Sequence, residues 1–228
     1  MNVLIACEES QTVCKAFRER GHRAFSCDIQ ECSGGHPEWH IQGDCLPLLN
    51  GNCTFQTADT HTHTQTGRWD LIIAHPPCTY LSNAGNGYFN VEKYGQKAIQ
   101  RKRDQLKATA FFLKFANADC DKIAIENPVG YMNSHYRKAD QIIDPYYFAR
   151  SEQDTVNYHR KKTCLWLKNL KPLERSSDLP APKPLYTDKT TGKARYFTDA
   201  ISGTGKDGKK RRSKTFPGIA KAMSEQWG

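Results

Sequence analysis

An α/β fold with a mostly parallel central sheet is what the sequence predicts, and three observations carry it. Met1–Asp28 reads as strand, helix and strand, with an acid closing the second strand, as in nucleotide-binding folds. Two later apolar runs, Leu71-Ile-Ile-Ala74 and Ile123-Ala-Ile125, have nothing polar inside them and stop at proline-bearing turns. Such runs suit strands buried on both faces of a sheet. The chain has 228 residues with 38% hydrophobic content, enough for one such core with a small appendage.

Val3–Ala6 is the first strand. Gln11–Glu19 is a helix with Val13, Ala16 and Phe17 at helical spacing, ended by Gly21. Arg23–Cys27 is the second strand, with Asp28 at its exit. Residues 31–69 are loop-rich, and the polar stretch Thr57–Thr66 reads as a surface loop. Leu71–Ala74 is a central strand that Pro76 and Pro77 terminate, because neither can donate to a ladder. Asn83-Ala-Gly-Asn-Gly87 has the composition of a lid. A long helix follows over Lys97–Ala118, with Leu106, Ala110, Phe111, Leu113 and Phe115 apolar and Lys114 facing solvent. Residues 142–149 are aromatic around Pro145, and Arg160-Lys161-Lys162 stands directly ahead of another strand-like run. Residues 171–212 are basic and rich in Pro, Gly and Thr, and the chain ends in a short helix with Ile219, Ala222, Met223 and Trp227 inward. The domain expected is therefore 1–170 plus 213–228, interrupted by an irregular segment at 171–212.

The formal net charge of +9 points to an acidic partner, with nucleic acid foremost. The excess concentrates in Arg101–Arg103, Arg160–Lys162 and Lys206–Lys214. No segment approaches the ~20 apolar residues of a membrane span. The opening residues lack the basic region of a signal peptide, so a cytoplasmic setting is expected, with no membrane partner. Nine cysteines, an odd number with no Cys-x-x-Cys pair, are then expected to be reduced. Cys27, Cys32, His36 and His40 have a metal-like rhythm, but the spacing fits no common zinc pattern and no metal is expected.

Chemistry concentrates at two strand exits. Cys78 sits on a rigid turn at the carboxyl end of a central strand, where open α/β sheets bind ligands. Glu126-Asn127-Pro128 repeats the design. In one parallel sheet both exits share an edge, which pairs a thiolate that attacks with a carboxyl that donates a proton or a hydrogen bond.

These pieces occur in an order that resembles the DNA cytosine-5 methyltransferases, most closely their short, phage-type members. Pro76-Pro77-Cys78 resembles the motif bearing the nucleophile, and Glu126-Asn127-Pro128 resembles the family's Glu-Asn-Val. Val3–Ser10 stands where the family has its glycine-rich first motif, but with Cys7, Glu8, Glu9 and Ser10 in place of glycines. The resemblance implies a Rossmann-like methyltransferase fold that uses S-adenosylmethionine. The cofactor would be bound by Ala6, Cys7, Glu8, Ser10, Asp28, Asp44 and Pro76. It implies DNA as partner through the basic patches, a phage or prophage setting in the host cytoplasm, and no need of an oligomer. It also implies the catalytic set Cys78, Glu126 and Arg160. Cys78 would add to carbon 6 of cytosine, and Glu126 would serve the exocyclic amine and ring nitrogen 3 with a raised pKa. One cation among Arg160, Lys161 and Lys162, Arg160 foremost, would steady the ring oxygen or lower the thiol pKa. Thr79 stands where the family usually has glutamine, and the family's large recognition domain is missing, leaving only residues 171–212 to replace it. A pyrimidine-nucleotide substrate, or a non-catalytic nucleic-acid-binding role, therefore stays open beside DNA methylation. Transfer to an exocyclic amine is disfavoured, since that chemistry uses Asp/Asn-Pro-Pro-aromatic and position 78 is cysteine.

Overall fold

A computed structural model describes residues 1–196 and 214–228. The opening unit is β1 (Asn2–Ala6), α1 (Thr12–Glu19) and β2 (Arg23–Asp28), with the two strands parallel. β3 (His40–Gln42) pairs outside β2, and β4 (Cys53–Gln56) with β5 (Thr62–Gln65) forms a separate antiparallel hairpin. β6 (Leu71–Ala74) then returns to the other flank of β1. After α2 (Val91–Tyr94) and α3 (Gln96–Ala116), β7 (Ile123–Pro128) pairs with β6. α4 (Met132–His135), β8 (Gln141–Ile143) and β9 (Thr163–Lys168) follow. A two-residue hairpin, β10 (Tyr186–Thr187) with β11 (Ala194–Arg195), precedes α5 (Pro217–Trp227).

The seven-stranded sheet runs β3–β2–β1–β6–β7–β9–β8, and β9 alone is reversed. This is an α/β architecture with a mostly parallel sheet, compatible with a Rossmann-like fold. Strand alternation divides the core into two layers. Leu4, Ala6, Ile72, Ile123, Ile125 and Trp166 face α3 with Phe112 and Phe115. Val3, Ile5, Leu71, Ile73, Ala124 and Leu165 face α1 and α5, meeting Val13, Phe17, Ile219, Met223 and Trp227. The chain leaves β1 toward β2 in one direction and continues from β6 toward β7 in the other. Their carboxyl ends thus form the crevice where sheets of this kind bind ligands.

Four sequence expectations are corrected. The polar stretch 57–66 is not wholly a surface loop, since Thr62–Gln65 is a strand. Its alternate residues turn inward: Gln65 is buried, and the His63 ring lies 4.9 Å from that of Phe25. The alternation of Thr62 and Thr64 with these residues is a period-two signal. Asn83–Phe89 is a 3-10 helix packed on α3. Leu106 and Ala110 are exposed because they share the outer stripe of α3 with Lys107 and Lys114, and the helix buries Phe112 and Phe115 instead. Glu126, Asn127 and Pro128 lie within β7 rather than beyond it, because β9 continues the pairing to Pro128 after β6 has ended. Residues 197–213, which hold most of the Lys206–Lys214 patch, fall outside the described residues. Among those described, no helix is long and apolar enough to cross a membrane.

Candidate active site

Two turns meet at the crevice. The first leaves β1 through Cys7, Glu8, Glu9, Ser10 and Gln11. It takes the shape glycines would give it, with left-handed φ of 60° at Cys7 and 56° at Gln11. Glu8 is buried and caps α1 from within: its two oxygens accept the Val13 N–H at 2.6 Å and the Cys14 N–H at 3.1 Å. Burial pushes the Glu8 carboxyl up, against the opposing pull of His75 and the two N–H groups. Segment 32–36 closes over this turn. Gln11 donates to the His36 carbonyl and accepts from the His36 N–H, and Ser33 donates to Glu9. The Ser10 hydroxyl turns toward that of Thr12, 3.1 Å away.

The other expected cofactor residues surround this turn. Ala6 is buried and its carbonyl accepts the His75 N–H. Asp28, half-buried at the end of β2, accepts the Gln30 N–H, and its carbonyl receives the Gly43 N–H. Asp44 is exposed on its loop, its carboxylate accepting the Leu46 N–H at 3.0 Å. The Cys7 and Cys45 sulfurs lie 3.9 Å apart, and this contact, with burial, raises the Cys7 thiol. The metal-like set is dispersed into separate bonds: Cys27 to the Gly43 carbonyl, Cys32 to Gln11, His36 to Glu38, and His40 to Ser26 and the Gln30 carbonyl. No group of three or more metal-ligating side chains occurs among the described residues.

The second turn leaves β6 through His75, Pro76, Pro77 and Cys78. Neighbours hold it at four points. Asn127 of β7 donates to the buried Pro76 carbonyl at 2.7 Å. From α3, Arg101 donates to the Thr79 carbonyl at 2.8 Å and Gln105 to the Tyr80 carbonyl at 2.9 Å. The Tyr131 N–H reaches the Leu81 carbonyl at 2.7 Å, beside a bridge between Ser82 and Gly130. Cys78 is half-buried, and its carbonyl accepts the N–H groups of Leu81 and Ser82. Between the 83–89 helix and α3 lies a groove of about 490 Å³, lined by Asn86, Phe89, Lys102, Gln105, Leu106 and Tyr131.

Glu126 is drawn to the same edge. The Nδ1 of His75 lies 3.1 Å from its Oε2, with the side chains 8% and 15% exposed. Burial alone would raise the Glu126 carboxyl, yet the hydrogen bond and charge of His75, with Lys161 behind, hold it below the usual range. The raised pKa expected of Glu126 is thus reversed by His75, which stands in no motif of its own. The pair also lifts His75 above its ordinary value, in spite of burial.

Arg160 is placed differently from its expected role. Its guanidinium donates to the Tyr196 hydroxyl at 2.7 Å and stacks over that ring, and Lys161 is the cation acting on Glu126 and His75. Arg101, expected in a surface patch, is instead enclosed by Tyr80, Tyr88 and Phe89, leaving Lys102 and Arg103 exposed. The sequence offered one sign of this: Gly85, whose missing Cβ makes room for the Arg101 guanidinium. No family model and no curated protein matches the chain.

Proposed function

We propose that this protein is a DNA cytosine-5 methyltransferase of Rossmann-like fold, with Cys78 as nucleophile and Glu126 as its partner carboxylate. One observation carries the reading: the Pro76-Pro77-Cys78 turn and the Glu126-Asn127 pair are bonded to each other at the switch point, through Asn127 and His75.

The residues around the first turn fit S-adenosylmethionine. A dinucleotide would place its pyrophosphate on the N–H groups opening α1. Glu8 occupies those groups with its two carboxyl oxygens, which leaves no donor there for a phosphate and suits a cofactor that has none. Asp28 closes the strand whose acid meets ribose hydroxyls in such folds. Cys7, Asp44 and Pro76 would complete the walls. S-adenosylmethionine supplies an electrophilic methyl group when bound.

The chain's own residues would do the rest. Cys78 adds to carbon 6 of the pyrimidine, which makes carbon 5 electron-rich. Glu126 receives the exocyclic amine. Pro76 and Pro77, with the clamps from Arg101, Gln105 and Asn127, fix the direction of attack. A cytosine within a duplex must leave the stack to reach this edge, and Lys102, Arg103 and Lys162 would hold phosphates, so binding weakens as salt rises. Such a protein works in the cytoplasm, of the host if phage-encoded.

A pyrimidine-nucleotide substrate is the second reading. It is favoured because the small β4–β5 and β10–β11 hairpins are the only sheets added to the core among the described residues. Labelled methyl transfer to unmethylated DNA, wild type beside Cys78→Ser, decides. Label on cytosine carbon 5 that vanishes in the variant supports the proposal. Label that survives removes Cys78, and turnover of free nucleotide without DNA selects the second reading.

A further inference from the structure

We propose that His75 is the proton store behind Glu126: the two side chains share one mobile proton, which passes through Glu126 to the pyrimidine ring as Cys78 attacks. The inference rests on the methylation reading above and deepens it by naming where the ring's proton comes from.

The geometry is that of a relay with a single open end. His75 is locked at its backbone by the Ala6 carbonyl and at Nδ1 by Glu126, 3.1 Å away. Its Nε2 is buried with no hydrogen-bond partner among the described residues. A histidine serving only as a strut has both nitrogens tied, and a buried orphan nitrogen calls for a role. The charged groups acting on the ring come from three elements: Glu126 on β7, Glu8 in the β1–α1 turn and Lys161 ahead of β9. Glu8 has both oxygens on backbone N–H groups, so Glu126 is the acceptor bonded to the ring.

The pyrimidine needs this proton, because attack displaces an electron pair onto ring nitrogen 3. Glu126 is held ionised by His75 and has no proton of its own at neutral pH. The Cys78 sulfur bonds to carbon 6, the carbon 5–carbon 6 π pair moves to the carbon 4–carbon 5 bond, and the carbon 4–nitrogen 3 π pair moves onto nitrogen 3. Nitrogen 3 takes the one proton, which His75 Nδ1 passes through Glu126, leaving a neutral imidazole and an ionised Glu126. Once carbon 5 has taken the methyl group with the carbon 4–carbon 5 pair, solvent water removes the carbon 5 proton. The C–H pair then reforms the carbon 5–carbon 6 π bond, the sulfur leaves as thiolate, and nitrogen 3 returns its proton by the same path. His75 acts through Glu126 and never touches the substrate, which makes it a positioning residue.

The test is His75→Gln, whose amide can still donate to Glu126 but cannot transfer a proton. Cys78-dependent methyl transfer should fall on the order of 10²-fold. The alkaline limb of its pH profile should move to lower pH, because Glu126 must then carry the proton itself. A variant with the wild-type rate and profile overturns the relay. If the variant does not fold, nitrogen-15 NMR of the wild-type ring decides. Titration above the ordinary 6.5 is expected, and a ring already neutral there overturns the proposal. Failure of the two readings is distinguishable. A wild type without Cys78-dependent transfer removes the methylation reading and the relay together, whereas an active wild type with an indifferent His75→Gln removes the relay alone.

Discussion

The two turns at the switch point are built on opposite plans. The β1–α1 turn holds itself: Glu8 caps its own helix, Gln11 ties down the covering segment, and two left-handed residues shape the backbone. The β6 turn is held from outside, by Asn127 and Glu126 of β7, by Arg101 and Gln105 of α3 and by Tyr131. A self-capped turn survives changes in its neighbours. A clamped turn transmits them to Cys78. Substitutions at the first should therefore appear in stability and in affinity for the cofactor, and substitutions around the second in the rate of the chemical step as well.

The largest effect is expected from the pair that joins both plans. Glu126→Ala strands a buried His75 and should cost about 3–5 kcal/mol in denaturant unfolding. The loss must depend on pH. His75, raised, contributes below its ordinary 6.5 and loses that contribution as pH rises through its folded value. Glu126, depressed, contributes above its ordinary 4.5 and loses that as pH falls through its folded value. The gap between wild type and variant should be widest at about pH 5–6 and narrow on either side. A gap independent of pH would mean the two side chains are not paired as ions.

Glu8→Ala comes next, at about 2–3 kcal/mol, because it strips the cap from two N–H groups inside the fold. Glu8→Gln should cost less, since the amide oxygen can still accept one of them. Both changes should leave the Cys78 turn in place. If instead Glu8→Gln abolishes methyl transfer at saturating cofactor with no loss of stability, the first turn is catalytic and the contrast between the turns collapses.

Much of this molecule is legible before folding, and the boundary between what is and is not has a physical basis. β1, α1, β2 and β6 declare themselves because their signals are local: apolar runs, a helical period and terminating prolines. Cys78 and Glu126 are legible for the same reason, each standing beside a proline that ends an apolar run, although Glu126 proves to lie within β7. The clamps are not. Arg101 reads as one cation among neighbours, and only the folded chain carries it beneath Gly85 to the Thr79 carbonyl. His75 looks like a spacer before two prolines until β7 pairs beside it and supplies Glu126. The β4–β5 hairpin hides because its inward side chains, Phe55 and Gln65, find partners on β2, Phe25 and Arg23, that are remote in sequence.

Gly130→Ala tests the outer clamp alone. A Cβ there would stand 2.0 Å from the Leu81 carbonyl oxygen, so the bridge between Ser82 and Gly130 must part. The expected stability loss is about 1–3 kcal/mol, as for other overpacked sites. Methyl transfer should fall further than that destabilisation accounts for, since the 78–82 turn loses one of its supports. A rate that merely follows the folded fraction would show that the bridge does not position Cys78.

The smallest expected effect tests the shape of the first turn. Cys7 holds φ at 60°, a region that costs a residue with a Cβ about 1–2 kcal/mol and costs glycine little. Cys7→Gly should recover that strain while losing the packing of a half-buried thiol beside Cys45 and the entropy that glycine adds to the unfolded chain. These terms oppose one another at similar size, so unfolding should shift by less than about 1 kcal/mol in either direction. Cys7→Val keeps the packing but brings a β-branched side chain to the same φ, and should destabilise by more than Cys7→Gly. If valine is tolerated as well as glycine, the left-handed turn is not what holds Glu8 over its helix, and the self-supporting plan would rest on the Glu8 carboxylate and Gln11 alone.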